Sequence, residues 1–261
     1  MSLLEPYDTL RPPGMALSEW RARLELAACY RLFDHIGWCE GIYNHLTLRV
    51  DGGTDDCPHY LINPFGLHYS EVTARNLVKI DARGQRIGDS DGIVNPAGVV
   101  IHSAVHAARA DAHCVMHTHT TAGMAVACKQ GGLRYDNFYG ALVYGEVAYH
   151  DFEGITTDND ECARLVASLG ARRLLILRNH GLVAVGPDVA HTYAWLWMLQ
   201  RACEVQVATD AMPGDNVPID ESVLRGNAAK SERMSAQIDP LPDDVRCSAA
   251  ARAGIRYSAL V

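Results

Sequence analysis

Two short apolar runs, Leu174–Leu177 and Leu182–Val185, are separated only by the polar turn Arg178-Asn179-His180-Gly181. A turn that short cannot carry a crossover helix, so the two runs must pair as an antiparallel hairpin. The same grammar recurs upstream. Leu46 to Val50 and His59 to Asn63 read as strands joined by the turn-rich Asp51-Gly52-Gly53-Thr54-Asp55-Asp56, and Leu77–Asp81 and Gln85–Ile87 flank Arg83-Gly84. Helical stretches intervene: Ser18 as a cap for a helix to Ile36, a short helix over Ser70–Asn76, then Val99–Ala110, a helix capped by Thr120 or Thr121, Asp158–Leu169, and a long one from Pro187-Asp188 to Ala208. Hairpins without a steady βαβ rhythm predict an α/β protein whose mixed, largely antiparallel sheet is covered by helices on both faces.

With 261 residues and no internal repeat, the expected organisation is an N-terminal arm (1–17), one α/β domain (18–210) and a weakly periodic tail (211–261) that packs on a neighbouring subunit. The segment around Trp195, Trp197 and Met198 is apolar on most sides, which calls for burial in the core or between subunits. No run approaches the roughly 20 apolar residues of a membrane helix. The start Met1–Pro6 lacks the regions of a signal peptide, and the eight cysteines are scattered without a close pair, so a reduced, cytoplasmic protein is expected. A formal charge of -8 without a basic cluster argues against nucleic acid as partner. Dinucleotide and P-loop signatures are missing.

Chemistry concentrates in histidines. His117 and His119, one residue apart, end the apolar strand Cys114-Val115-Met116, and His180 stands at the end of another strand. Three imidazoles at strand ends, with no cysteine or carboxylate adjoining, suit a divalent metal with one coordination position left open. The competing reading is that they are ordinary strand-end histidines satisfied by backbone. His102 and His106 stand at i and i+4 and share a helix face, but Ser103 between them breaks the metalloprotease pattern, leaving His102 as a structural or supporting residue.

Five segments in order, Tyr43-Asn44-His45-Leu46-Thr47-Leu48-Arg49, Ile62-Asn63-Pro64-Phe65-Gly66, Ile101–His106, His117-Thr118-His119 and Arg178–Leu182, make the chain from about Leu17 to Ala208 resemble the class II aldolase/adducin family. The resemblance implies a three-layer α/β/α fold and a homotetramer with sites between subunits. It implies a divalent metal on His117, His119 and His180, zinc first, with manganese or iron as alternatives. Tyr139 takes the place of the acid that a neighbouring subunit supplies in some members, with Tyr135 or Tyr144 able to serve instead. Asn44, Asn63 and Gly66 fall at substrate-contacting positions, although an Asn before a strand is also a common turn-former.

Two positions depart from the sugar-phosphate aldolases of that family. Their Ser-Ser-Glu, which supplies phosphate hydroxyls and the proton-transfer carboxylate, corresponds here to Pro96-Ala97-Gly98, and Phe65 stands where a hydroxyl residue would meet phosphate. Asp151 and Glu153 are candidates to replace the carboxylate or simply solvated turn residues. The resemblance therefore implies a metal-dependent lyase, aldolase or decarboxylase, on a small non-phosphorylated hydroxy or keto compound. The alternatives are a non-catalytic, adducin-like oligomeric binding module and a metal-dependent epimerase.

Overall fold

The structure, a computed structural model, describes residues 5–54, 57–88, 90–154 and 159–238. A first helix α1 (Leu17–His35) precedes the hairpin β1 (His45–Thr54) and β2 (Cys57–Ile62), and β3 (Val78–Ile80) follows. Then come α2 (Pro96–Ala108), β4 (Cys114–Thr118), α3 (Thr121–Ala127), α4 (Phe138–Leu142), β5 (Val147–His150), α5 (Asn159–Leu169), β6 (Leu174–Leu177), β7 (Gly181–Gly186), α6 (Val189–Asp210) and α7 (Glu221–Ile238). The strands form a seven-stranded sheet in the order β3-β2-β1-β4-β7-β6-β5. Every pairing is antiparallel except β5 with β6. The mixed, mostly antiparallel sheet is thus present, and β6–β7 is the hairpin that the short polar turn demands.

Alternation along the strands sorts their side chains into two cores. Leu46, Leu48, Met116, Ile176, Leu182 and Ala184 face a layer built by α1, α3 and α6. Val115, Leu175, Val183 and Val185 face the other way, against Ile101 and Val105 of α2 and Leu165 and Leu169 of α5. Three layers, helix over sheet over helix, follow directly. The Trp195 segment of α6 is covered within its own chain: Trp195 and Leu199 are buried, and Trp197 and Met198 pack partly buried on the same core. Of the two placements open to this apolar helix, the core is the one adopted, so its hydrophobicity is not by itself a reason to assemble.

Several local expectations shift. Helix α1 starts one residue before Ser18, with Ala16 at the N-cap and no side-chain cap, so Ser18 caps nothing. Residues Tyr69–Glu71 make only a 3-10 turn, held by a capping box between His68 and Glu71. The arm is anchored: Trp20 donates its indole N–H to the Tyr7 carbonyl, and Arg21 pairs with Asp8 at 2.7 Å. In the tail, α7 packs on α4 of the same chain, and the Tyr144 hydroxyl donates to Glu221. Residues 239–261, including Cys247, lie outside the described residues, as does the remainder of the tail's expected contact with a neighbour. The seven described cysteines are all unpaired. Among the described residues no helix is long and apolar enough to cross a membrane.

Candidate metal centre

The expected imidazoles converge. Strands β4 and β7 run antiparallel with His117 opposite Val183 and Thr118 opposite Leu182, and this register brings the end of β4 beside the turn that precedes β7. One ring nitrogen each from His117, His119 and His180 lies within 4.8 Å of the others. The ring centroids stand 4.5, 4.9 and 4.7 Å apart. His117 is buried, while His119 and His180 keep partial exposure, so the cluster is open on one side.

The turn is built for this approach. Asn179 adopts a positive φ of 56°, a region that asparagine tolerates better than most side chains, and its N–H donates to the Ala127 carbonyl. At Gly181 a Cβ would sit 2.4 Å from the Thr118 carbonyl and 3.2 Å from His117 Cε1. Only glycine lets the turn press against the two histidines.

Supporting groups hold the rings. The Leu182 carbonyl accepts from His117 Nδ1 at 2.9 Å, which places the proton there and leaves Nε2 unprotonated, as a metal-ligating histidine requires, with His119 Nε2 2.7 Å away. Asn44 accepts from the His119 backbone N–H at 2.8 Å and donates its amide to the Trp38 carbonyl at 2.6 Å. Burial keeps all three imidazoles neutral: His119 is pushed down to about 4, His180 is lowered, and His117 is held well below the usual range. Neutral, orientation-locked imidazoles are the ligand form that zinc and similar cations take. The donor set therefore fits a divalent metal.

The other expected site residues separate. Asn63 is buried with its side-chain oxygen 2.9 Å from the Tyr30 hydroxyl and its amide on the Pro64 carbonyl, so its polar groups tie the end of β2 to α1. Gly66 has φ +91° and open space around it. Tyr139 has Phe138 and, at 5.7 Å, the Arg201 guanidinium as ring neighbours, with none of the cluster histidines among them. Glu153 pairs with Arg164, whose hydrogen bonds and charge hold its carboxyl below the usual range. Asp151 is exposed.

Sequence reasoning passed over His45. It pairs with His117 across β1–β4, ring centroids 5.1 Å apart, and its ring lies flat on Gly98: a Cβ there would come within 2.8 Å of His45 Cδ2. Behind it stand His102, Thr47 and His106. His45 Nδ1 is 2.9 Å from His102 Nε2, and Thr47 Oγ1 is 2.6 Å from His102 Nδ1 and 2.7 Å from His106 Nε2. The clue was available: His45 and Thr47 alternate with Leu46 and Leu48, putting two polar side chains on a strand face that must be buried, opposite the His102/His106 face of a helix.

Fold and cluster together define the class: a three-layer α/β protein with a three-imidazole centre open on one side. The Class II Aldolase and Adducin N-terminal domain model matches residues 24–207, and the chain belongs to that family. Alpha-adducin of Rattus norvegicus is 48% identical over 195 residues, 74% of this chain and 26% of that protein. A crystal structure of an aldolase II superfamily protein from Pseudomonas syringae superposes with TM-score 0.83 at 40% identity, covering 92% of this chain and 94% of that one. The L-fuculose 1-phosphate aldolase from Glaciozyma antarctica PI12 follows with TM-score 0.73 at 30% identity, covering 86% and 88%.

Proposed function

We propose that this protein is a divalent-metal-dependent carbon–carbon lyase acting on a small, non-phosphorylated hydroxy or keto compound, with His117, His119 and His180 holding the metal, zinc first. The observation that carries the reading is the set of three neutral imidazoles converging at one point, with His117 turned by the Leu182 carbonyl so that its unprotonated Nε2 faces His119. Bound there, such a metal would supply Lewis acidity to a substrate oxygen.

The chain's own residues narrow the chemistry. A positioned acid or base contributes roughly 10²–10⁴-fold to proton transfer at carbon. Gly98 offers no such group, and the His45 ring occupies the space into which a side chain there would grow. Pro96 provides no hydroxyl for a phosphate, and Phe65 presents a half-exposed apolar ring at the loop after β2. Decarboxylation suits these residues better than cleavage of a sugar phosphate, because loss of CO₂ breaks the carbon–carbon bond before any proton is needed at carbon. Aliphatic and aromatic 3-keto acids, 2-hydroxy-3-keto acids and 4-hydroxy-2-keto acids, whose carbon–carbon cleavage leaves its electron pair as an enolate, are the panel to assay, with fuculose and ribulose phosphates as controls. Cleavage of a sugar phosphate with kcat/KM of about 10⁴ M⁻¹s⁻¹ or more would defeat this substrate class.

A homotetramer completes the proposal. Tyr43 stacks on His119 at 5.9 Å and Phe152 meets His180 at 6.3 Å, yet both rings are more than half exposed, as is Phe138. Aromatic groups at the rim of a polar site mark a surface that a second chain covers, and Tyr139 of a neighbouring chain then becomes available as an acid. A stable monomer by light scattering at micromolar concentration would remove this part.

The 48% identity to alpha-adducin favours one second reading, a non-catalytic oligomeric binding module of the cytoplasm. Metal content of freshly purified protein separates the two. About one divalent ion per chain supports the lyase, and metal-free protein that takes up none from excess zinc supports the module.

A further inference from the structure

The buried groups behind His45 form a hydrogen-bond chain whose direction can be worked out from its far end. A carbonyl oxygen can only accept, so the Ala112 carbonyl, 2.6 Å from His106 Nδ1, fixes the proton on that nitrogen. Burial keeps His106 neutral, pushed down to about 4, so its Nε2 carries a lone pair. The Thr47 hydroxyl, 2.7 Å away, must donate to it. Its single proton spent, Thr47 Oγ1 can only accept from His102 Nδ1 at 2.6 Å. His102, also held neutral by burial, then has a bare Nε2, and His45 Nδ1 at 2.9 Å must be the donor. The reverse direction would require the carbonyl to donate. Each link thus forces the next as far as His45 Nδ1, and because His45 is itself buried, where a charged ring is costly, its Nε2 is left with a lone pair that meets no partner among the described residues.

That atom is well placed. His45 shares the sheet face and the register position of His117. Its Nε2 lies 3.1 Å from where a Cβ on Gly98 would stand, and its ring centroid is 5.1 Å from that of His117, so the ring borders the cluster.

We propose that this one-way chain, Ala112 carbonyl–His106–Thr47–His102–His45, locks His45 as the tautomer with a bare Nε2 and so makes it a fixed acceptor for a hydroxyl on the ligand of the three-histidine centre. The tautomer stands on the hydrogen bonds together with the burial that keeps the rings neutral, and the ligand half rests on the function proposed above. His45 here is a positioning residue: it selects a substrate carrying a hydroxyl donor beside its metal-binding oxygen, the pattern of a 2-hydroxy acid or a hydroxy-ketone.

The test begins on metal-free protein labelled with ¹⁵N-histidine, His45 being assigned by the signals lost in His45→Gln. Long-range proton–nitrogen correlations should show a protonated Nδ1 and an unprotonated Nε2. Thr47→Val removes the hydroxyl that transmits direction from His106 to His102, and His45 should then populate the Nε2-protonated form, whereas Thr47→Ser should keep the wild-type pattern. A protonated Nε2 in the wild type, or a Thr47→Val spectrum identical to it, overturns the chain. If Thr47→Val fails to fold, the wild-type tautomer decides alone. The ligand half is read on zinc-loaded protein by calorimetry, with glycolate and acetate as probes. The margin favouring glycolate should shrink about five- to tenfold in Thr47→Val, the value of one lost hydrogen bond. A margin unchanged by that substitution overturns the acceptor role. Failure of the wild-type chain to take up zinc overturns the lyase and the ligand half, while the tautomer result still stands or falls on the metal-free spectrum.

Discussion

Two groups of three histidines lie side by side in this protein and differ in how their lone pairs are used. His117, His119 and His180 turn ring nitrogens toward a common point, and the protein spends its hydrogen bonds on aiming them. His45, His102 and His106 spend five of their six nitrogens on one another, on Thr47 and on the Ala112 carbonyl, and only His45 Nε2 is left over. Residue type and near-complete burial are shared by His117 and the second group, so neither distinguishes a ligand from a structural imidazole. What does is the destination of the second nitrogen: in one group it meets only other imidazole nitrogens at the end of the sheet, His117 Nε2 lying 2.7 Å from His119 Nε2, and at His102 and His106 in the other it faces a fixed donor or acceptor. A buried imidazole whose nitrogens pair with fixed donors and acceptors is filling a polar core, while one whose second nitrogen meets only other imidazoles is prepared for a cation.

The contrast can be broken at each point. The largest effect belongs to His119→Ala, which removes one of three protein ligands. Losses at supporting residues of metal sites typically run ~10–100-fold in affinity, and a ligand should exceed that. Elemental analysis after dialysis should fall from about one ion per chain to near none, whereas His106→Gln, in the second group, should retain the metal.

Gly98→Ala comes next. Its Cβ would meet His45 Cδ2 at 2.8 Å, and an overpacked core costs about 1–3 kcal/mol. Thermal unfolding should drop by several degrees, and pairing the substitution with His45→Ala should recover part of the loss. Independent, additive costs would show that the ring and position 98 do not compete for the same space.

Thr47→Val sharpens the comparison from the other side. It strands buried imidazole nitrogens and should destabilise the fold by about 1–2 kcal/mol in denaturant titration. Zinc stoichiometry should be unchanged, because no ligand is supported through Thr47.

The smallest effect is on acid stability. His106 is neutral in the fold, pushed down to about 4 by burial, whereas the unfolded chain titrates near the ordinary 6.5. Between those values the unfolded state binds more protons, so this contribution is present above pH 6.5 and is lost as pH falls toward about 4. Melting temperatures of metal-free protein should decline across that window, and His106→Phe should make the decline shallower, the other buried histidines keeping the remainder. A flat profile in the wild type would mean that the relay histidine is already charged at pH 6.

Most elements could be read from pattern because each is locally encoded. Apolar runs with polar turns specify the hairpins, and the stretch from Cys114 to Ala127 specifies strand, turn and helix. Strand β5 and helix α4, inside the tyrosine-rich stretch, were not read, and neither was α7. The β5 segment Val147–His150 has only four residues, and a parallel neighbour 24 or more positions away in sequence supplies its hydrogen bonds. Helix α7 has a mostly polar sequence whose docking on α4 is tertiary. The three candidate ligands were legible since strand-end histidines announce themselves by position.

What the residues determined alone was the hairpin-rich, helix-covered sheet and the histidine triad, both visible as local spacing, while the missing carboxylate at Gly98 is read through the family resemblance. The tertiary structure decided which nitrogens are free. Asn44 turned out to hold the His119 backbone, and Asn63 to be engaged with Tyr30. His45 came to rest on Gly98 because β1 pairs with β4 in the register that sets it opposite His117, with α2 packed over both. A hydrogen bond depends on the partner's position to within a few tenths of an ångström, and residues 45, 102 and 106 acquire those positions only when strand and helix pack.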